Sequence, residues 1–181
     1  NTFVFYINGW RGINIDANPN SMKLFDKLRP RDINLEIPVF NEEKEMALYV
    51  IKTPGNSGSM NSFSFENIRH LALENCIIEK KQLKTKTLAN VLHKYMPQGV
   101  QIDFMSVDVE GVEYEVLISN DWNNYRPKII VVEIAGNSVD EVMGSKTAKL
   151  LLQKEYELYA RTIIMKGLSS NFFIDIKSDL Y

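Results

Sequence analysis

One run, Ile102-Asp103-Phe104-Met105-Ser106-Val107-Asp108-Val109-Glu110-Gly111-Val112-Glu113, limits what this chain can fold into more than any other. Its apolar centre, Phe104 to Val107, is short and continuous, and it gives way to an acidic cluster with one glycine before a helical pattern begins. A parallel strand covered on both faces reads this way, because neither face calls for polar residues. In open α/β sheets the ligand site lies at the C-terminal ends of such strands. Asp108 and Glu110 stand there. Further on, Pro127-Lys128-Ile129-Ile130-Val131-Val132-Glu133 repeats the design, a strand delivering a carboxylate at its tip.

Strand and helix alternate through most of the remaining chain. Thr2 to Asn8 ends at Gly9 and reads as the close of a helix. Strands are expected at Ile13 to Asp16, Ile33 to Phe40, Met46 to Ile51 and Cys76 to Leu83, with Pro38 interrupting the second of these. Helical spacing covers Met22 to Leu28, Thr87 to Tyr95, Val112 to Ile118 and one long element from Asp140 to Lys154. Ala17 to Ser21 reads as the turn that caps the Met22 helix. Tyr156 to Met165 and Asn171 to Ile176 read as a closing strand pair. Thr53 to Ser62 is a Gly/Asn/Ser-rich loop, either mobile or an ordered lid, and Phe63 to Leu73 has no decisive pattern. The alternation predicts an α/β domain with a mostly parallel sheet.

The chain's 181 residues suit one domain, residues 1–181. A formal net charge of −2 argues against a nucleic-acid partner, and Lys80, Lys81, Lys84 and Lys86 read as a solvated face. One cysteine and two histidines exclude a disulfide framework and a Cys/His zinc site within the chain. Cys76, among apolar neighbours, reads as a structural thiol. No apolar run approaches the roughly 20 residues of a membrane span and no signal peptide is visible, so the expected setting is cytoplasmic.

Asp16, at a strand tip, is placed to accept hydrogen bonds from both hydroxyls of a nucleotide ribose, or merely to cap the turn after it. The glycine turn that accompanies such an acid lies about 20 residues earlier, before residue 1, and Gly9 and Gly12 are too close to serve. Asp108, Glu110 and Glu113 suit proton transfer, a cation or a cofactor amine. Glu110 and Glu113, three apart, would share a helix face, or would complement the positive end of that helix. Glu133, after four apolar residues, needs a partner or a cleft. With Asp108 on a neighbouring strand it would share one proton or one divalent cation.

Taken together, Gly9-Trp10-Arg11-Gly12-Ile13-Asn14-Ile15-Asp16-Ala17-Asn18-Pro19, Arg29-Pro30-Arg31-Asp32-Ile33-Asn34-Leu35, Asp108-Val109-Glu110-Gly111-Val112-Glu113 and Arg126 to Glu133 resemble the FkbM family of S-adenosylmethionine-dependent methyltransferases. The resemblance covers almost the whole chain in order. It implies a Rossmann-like methyltransferase fold with an antiparallel strand near the C-terminal edge. It implies O-methylation, of a sugar in a glycan or of a small molecule. It implies S-adenosylmethionine bound by Asp16, Ala17 and Asn18 at the ribose, by Phe40 and Asn41 near the adenine, and by Asp108 near the methionine end. On this reading Asp108 and Glu133 are the catalytic candidates. The family's Asp-x-Gly-Ala-Asn segment, which carries its first strand, has no counterpart in residues 1–181, so the first strand is expected to be missing and the native protein to extend upstream. An open sheet edge would then invite a homodimer. Two other readings fit some of these residues: a non-catalytic Rossmann-like binding module, and a nicotinamide-dependent oxidoreductase, which leaves the Asp108 run unexplained.

Overall fold

A computed structural model describes residues 2–53 and 60–180. The chain opens with a short helix, α1 (Phe3–Ile7), which Gly9 ends at a φ of +93°. Only a residue without a Cβ takes that left-handed conformation cheaply. Strand β1 (Ile13–Asp16), helix α2 (Met22–Leu28) and strand β2 (Ile33–Glu36) follow, and β1 pairs β2 in parallel, Ile13 opposite Ile33 and Asp16 opposite Glu36. β2 stops short of the expected Phe40, because the chain reaches Pro38, which has no N–H to give a ladder.

Strands β3 (Glu45–Ile51) and β4 (Ile77–Lys84) form an antiparallel pair of their own. Between them Ser64 caps α3 (Phe65–His70), its side chain accepting the Asn67 N–H. Part of the Thr53 to Ser62 loop lies outside the described residues. Helix α4 (Leu88–Tyr95), capped by Thr87, buries Leu88, Val91 and Leu92 along one face. Strand β5 (Phe104–Val107), helix α5 (Glu113–Ile118) and strand β6 (Ile129–Ala135) make a parallel crossover. The long helix expected from Asp140 to Lys154 is two helices, α6 (Val139–Gly144) and α7 (Lys146–Gln153). Ser145 separates them in an extended conformation, ending one and capping the next through the Ala148 N–H. Strands β7 (Tyr156–Met165) and β8 (Leu168–Asp175) close the chain as a hairpin.

The sheet is not mostly parallel, as the alternation predicted. Strand order is β5-β6-β8-β7, with only β5 and β6 parallel, while β1-β2 and β3-β4 stand as separate two-stranded sheets. The antiparallel strands at the C-terminal edge are as expected. What breaks the parallel sheet is the space between β1 and β5: among the described residues each pairs on one side only. Their ends are held together nonetheless. Phe5 packs on Trp10, just before β1, and on Phe104, the first residue of β5, at ring-centroid separations of 4.9 and 5.7 Å.

The core lies under β6, whose Ile130, Val132 and Ile134 face Val107, Leu117, Leu151 and Phe173. At the far edge Arg126 grips Asp175 with two bonds of 2.6 and 2.7 Å, fastening the start of β6 to the end of β8. Among the described residues no helix is long and apolar enough to cross a membrane.

Candidate active site

Between β1 and β5 runs a cavity of about 920 Å³, a size typical of small-ligand sites. Its walls are the apolar side chains of the two strands, Ile13 and Ile15 against Met105 and Val107. At the C-terminal ends of both strands it becomes polar, reaching Asp16, Ala17 and Asn18 on one side and Asp108, Val109 and Glu110 on the other. The topology therefore brings three of the sequence-predicted acids, Asp16, Asp108 and Glu110, to one opening.

On the first side Asp16 Oδ1 accepts the Asn18 N–H at 2.7 Å, so the carboxylate does fix the turn after β1. That bond uses one oxygen of two. The neighbouring acid in the register, Glu36, takes the Met22 N–H at 3.3 Å at the start of α2. Ser21, expected to cap that helix within its turn, makes no side-chain cap bond. Below the turn lies a polar knot that sequence reasoning passed over. Buried Asp32 binds Arg29 at 2.6 Å, the Gly12 N–H at 2.9 Å and the Asn14 side chain at 3.0 Å. It locks the entrance of β1 to β2.

On the second side the acids crowd one another. The β5-β6 register ends at Val107 opposite Val132; Asp108 follows in the loop after β5, whereas Glu133 lies inside β6, which runs on to Ala135, and not at the strand tip the sequence led one to expect. Burial raises the Asp108 carboxyl above its usual range. Burial and then the charges of Asp108, Glu133 and Glu113 push Glu110 up to about 7. Burial and then Asp108 and Glu113 push Glu133 up to about 7 as well. Acids that titrate near neutrality can both give and take protons there. Glu113 is raised by burial too, against the pull of the Gly111 and Val109 N–H groups, which donate to its Oε1 at 3.0 and 3.3 Å. It thus ties down the loop at the start of α5, the helix-end role considered for it.

Glu110 does not share a helix face with Glu113, since α5 begins only at Glu113. Instead Glu110 takes a left-handed φ of +54° and Gly111 one of +95°. The Glu110 carbonyl is pinned by Ser62 Oγ at 2.6 Å and Asn67 Nδ2 at 2.9 Å. Ser62, Asn67 and Asn61 went unnoticed in the sequence because they lie in or beside its least patterned stretch. The only signal was Ser64 three residues before Asn67, a helix N-cap spacing.

The other candidates are placed differently. Glu133 sits on β6 and reaches the cavity's edge only through Asp108. Phe40 is buried, with Lys44 Nζ 4.9 Å from its ring centroid, and Asn41 is exposed; Ile37 and Val39 line the cavity in their stead. Among the described residues no three His, Cys, Asp or Glu side chains are grouped to hold a metal ion.

Neither a curated protein nor a solved structure matches the chain. The family model described as "Methyltransferase FkbM domain" matches residues 1–158. The match runs from α1 through β1, the β5 acids and β6 into β7, and so takes in every residue of the site described above. This chain belongs to the FkbM methyltransferase family.

Proposed function

We propose that this domain transfers a methyl group from S-adenosylmethionine to a hydroxyl of a carbohydrate or other small acceptor. The observation that carries the reading is one cavity whose opening has unlike acidic sides: the Asp16 carboxylate after β1, which binds the Asn18 N–H through one of its oxygens, and the crowded acids after β5. The donor set fits the cofactor. Asp16, with Asn18 beside it, suits the two ribose hydroxyls, since a carboxylate accepts from both at once. The β5 acids suit the ammonium of the methionine end.

When bound, S-adenosylmethionine supplies an electrophilic sulfonium methyl. The chain's own residues have to hold the acceptor oxygen in line and take its proton as the new carbon–oxygen bond forms. Asp108 is the first choice for that proton, because it lies on the cavity wall and its carboxyl is raised above the usual range. Glu133 is second, its carboxyl pushed up to about 7 by burial and by the Asp108 charge.

Calorimetric titration of S-adenosylmethionine and S-adenosylhomocysteine, with NAD as a control, tests the reading. Saturable binding of the first two and not of NAD is the expected result. Binding of neither, in this chain and in one extended upstream, would favour a non-catalytic binding module, which the unpaired edges of β1 and β5 otherwise support.

A further inference from the structure

Asn61 and Ser62 are adjacent, yet they grip opposite sides of the cavity's opening. Asn61 Nδ2 donates to Asn18 Oδ1 at 2.5 Å, while its own Oδ1 accepts the Ile51 N–H at 2.7 Å. Ser62 Oγ donates to the Glu110 carbonyl at 2.6 Å and accepts the Ser64 N–H at 2.9 Å. The pair is anchored to the middle of β3 by two backbone bonds, Tyr49 N–H to the Ser62 carbonyl at 3.0 Å and Ser62 N–H to the Tyr49 carbonyl at 3.3 Å. Ser62 is 1% exposed, so its hydroxyl has no water to fall back on.

The bonds form an unbroken chain. Asp16 holds the Asn18 N–H, Asn18 takes the Asn61 amide, and one peptide bond further Ser62 holds Glu110. Glu110 needs holding. A left-handed non-glycine residue is strained and persists only where its surroundings insist on it. Two donors on one carbonyl, Ser62 and Asn67, do so here.

We propose that Asn61 and Ser62 are positioning residues, a strap that fixes the Asp16 end of the site relative to the Glu110 end. The proposal rests on the methyl-transfer reading only for what the two ends bind. The strap itself is a mechanical link, so a change at one end is felt at the other.

The test uses the whole chain with carboxyl-labelled glutamate. Asn61→Ala is expected to weaken S-adenosylhomocysteine binding about 3- to 10-fold, the size of a lost neutral hydrogen bond. It should also move the Glu110 titration, followed by carbon NMR, by about half a pH unit or more although it touches no atom of Glu110. Ser62→Ala should do both as well, Ser62→Thr should restore wild-type values, and the double variant should lose no more than the worse single one. Asn18→Ala cuts the strap while leaving Asn61 bonded to β3, and covers the case in which Asn61→Ala fails to fold. An unmoved Glu110 titration in Asn18→Ala and Asn61→Ala, or losses that multiply in the double variant, would overturn the strap. Should neither this chain nor one extended upstream bind S-adenosylhomocysteine, the methyl-transfer reading fails, and the Glu110 titration alone decides the proposal.

Discussion

Asp108 and Glu133 directly follow Val107 and Val132, the last ladder pair of two adjacent parallel strands, Asp108 in the loop after β5 and Glu133 within β6. The Asp108 charge therefore acts on a Glu133 carboxyl whose burial already disfavours charge. The folded state therefore binds protons that the unfolded chain releases. Glu133 and Glu110 titrate near 7 when folded, against 4.5 for the ordinary side chain. Their contribution to stability is fully present below about pH 4.5 and is lost as pH rises from there through 7. Urea midpoints should fall between pH 5 and pH 8. Glu133→Gln removes one of the crowded charges and should stabilise the protein at pH 8 by about 1 kcal/mol, discounted for partial solvent screening, while flattening the slope. A midpoint that does not change with pH in this window would contradict the crowding.

Gly111 follows Glu110 at a φ of +95°, and a Cβ there would lie 2.7 Å from Asn67 Cγ and 2.8 Å from its Cβ. Both the backbone and the space require glycine. Gly111→Ala should cost about 2–4 kcal/mol, strain and overlap together. Adding Asn67→Ala removes the Cγ and Nδ2 contacts but keeps the Asn67 Cβ, and it also removes the bond to the Glu110 carbonyl, so it should return little of the loss. Thermal melts of the single and double variants check this.

The local features of this fold could be read from sequence, and the long-range ones could not. The bounds of β1, α2 and β5 follow from short apolar patterns that lie within the segments themselves. The acids at the ends of β1 and β5 were legible for the same reason. The break at Ser145 was hidden because apolar spacing continues across it, and only the serine's bond to Ala148 marks the restart. The missing pairing between β1 and β5 involves strands far apart in the chain, and no local pattern reports it. The strap was invisible for a like reason: its bonds join residues 43 and 48 positions apart, and asparagine and serine in a loop carry no periodicity.

Asp32 is the hidden anchor of the Asp16 strand. Its side chain is wholly buried and holds Arg29, Gly12 and Asn14 at the start of β1 and β2. Removing it leaves the Arg29 charge buried without its partner. Asp32→Ala should therefore cost about 3–5 kcal/mol in denaturant unfolding.

The ribose role of Asp16 separates from its turn role by choice of replacement. Asp16→Ala loses both, and should weaken S-adenosylmethionine binding about 10- to 150-fold, the worth of a charged hydrogen bond. Asp16→Asn keeps an oxygen for the Asn18 N–H and loses only the charge. It should fall between the wild type and alanine. A loss under about threefold for alanine, in a chain that binds the cofactor, would leave Asp16 as a turn residue alone.

The facing edges of β1 and β5 give the last prediction. Strands β6 and β8 are bonded on both sides, whereas among the described residues β1 and β5 each leave one row of backbone groups toward the cavity. Backbone amides on such an edge open without breaking a ladder. Peptides covering residues 13–16 and 104–107 should exchange hydrogen about 10- to 100-fold faster than those covering 129–135 and 168–175. The same experiment at rising protein concentration tests whether a second copy pairs with these edges. Protection that grows with concentration in β1 and β5 alone would mark a homodimer built across the gap. Uniform slow exchange in all four strands at every concentration would mean that the edges are covered within a single chain.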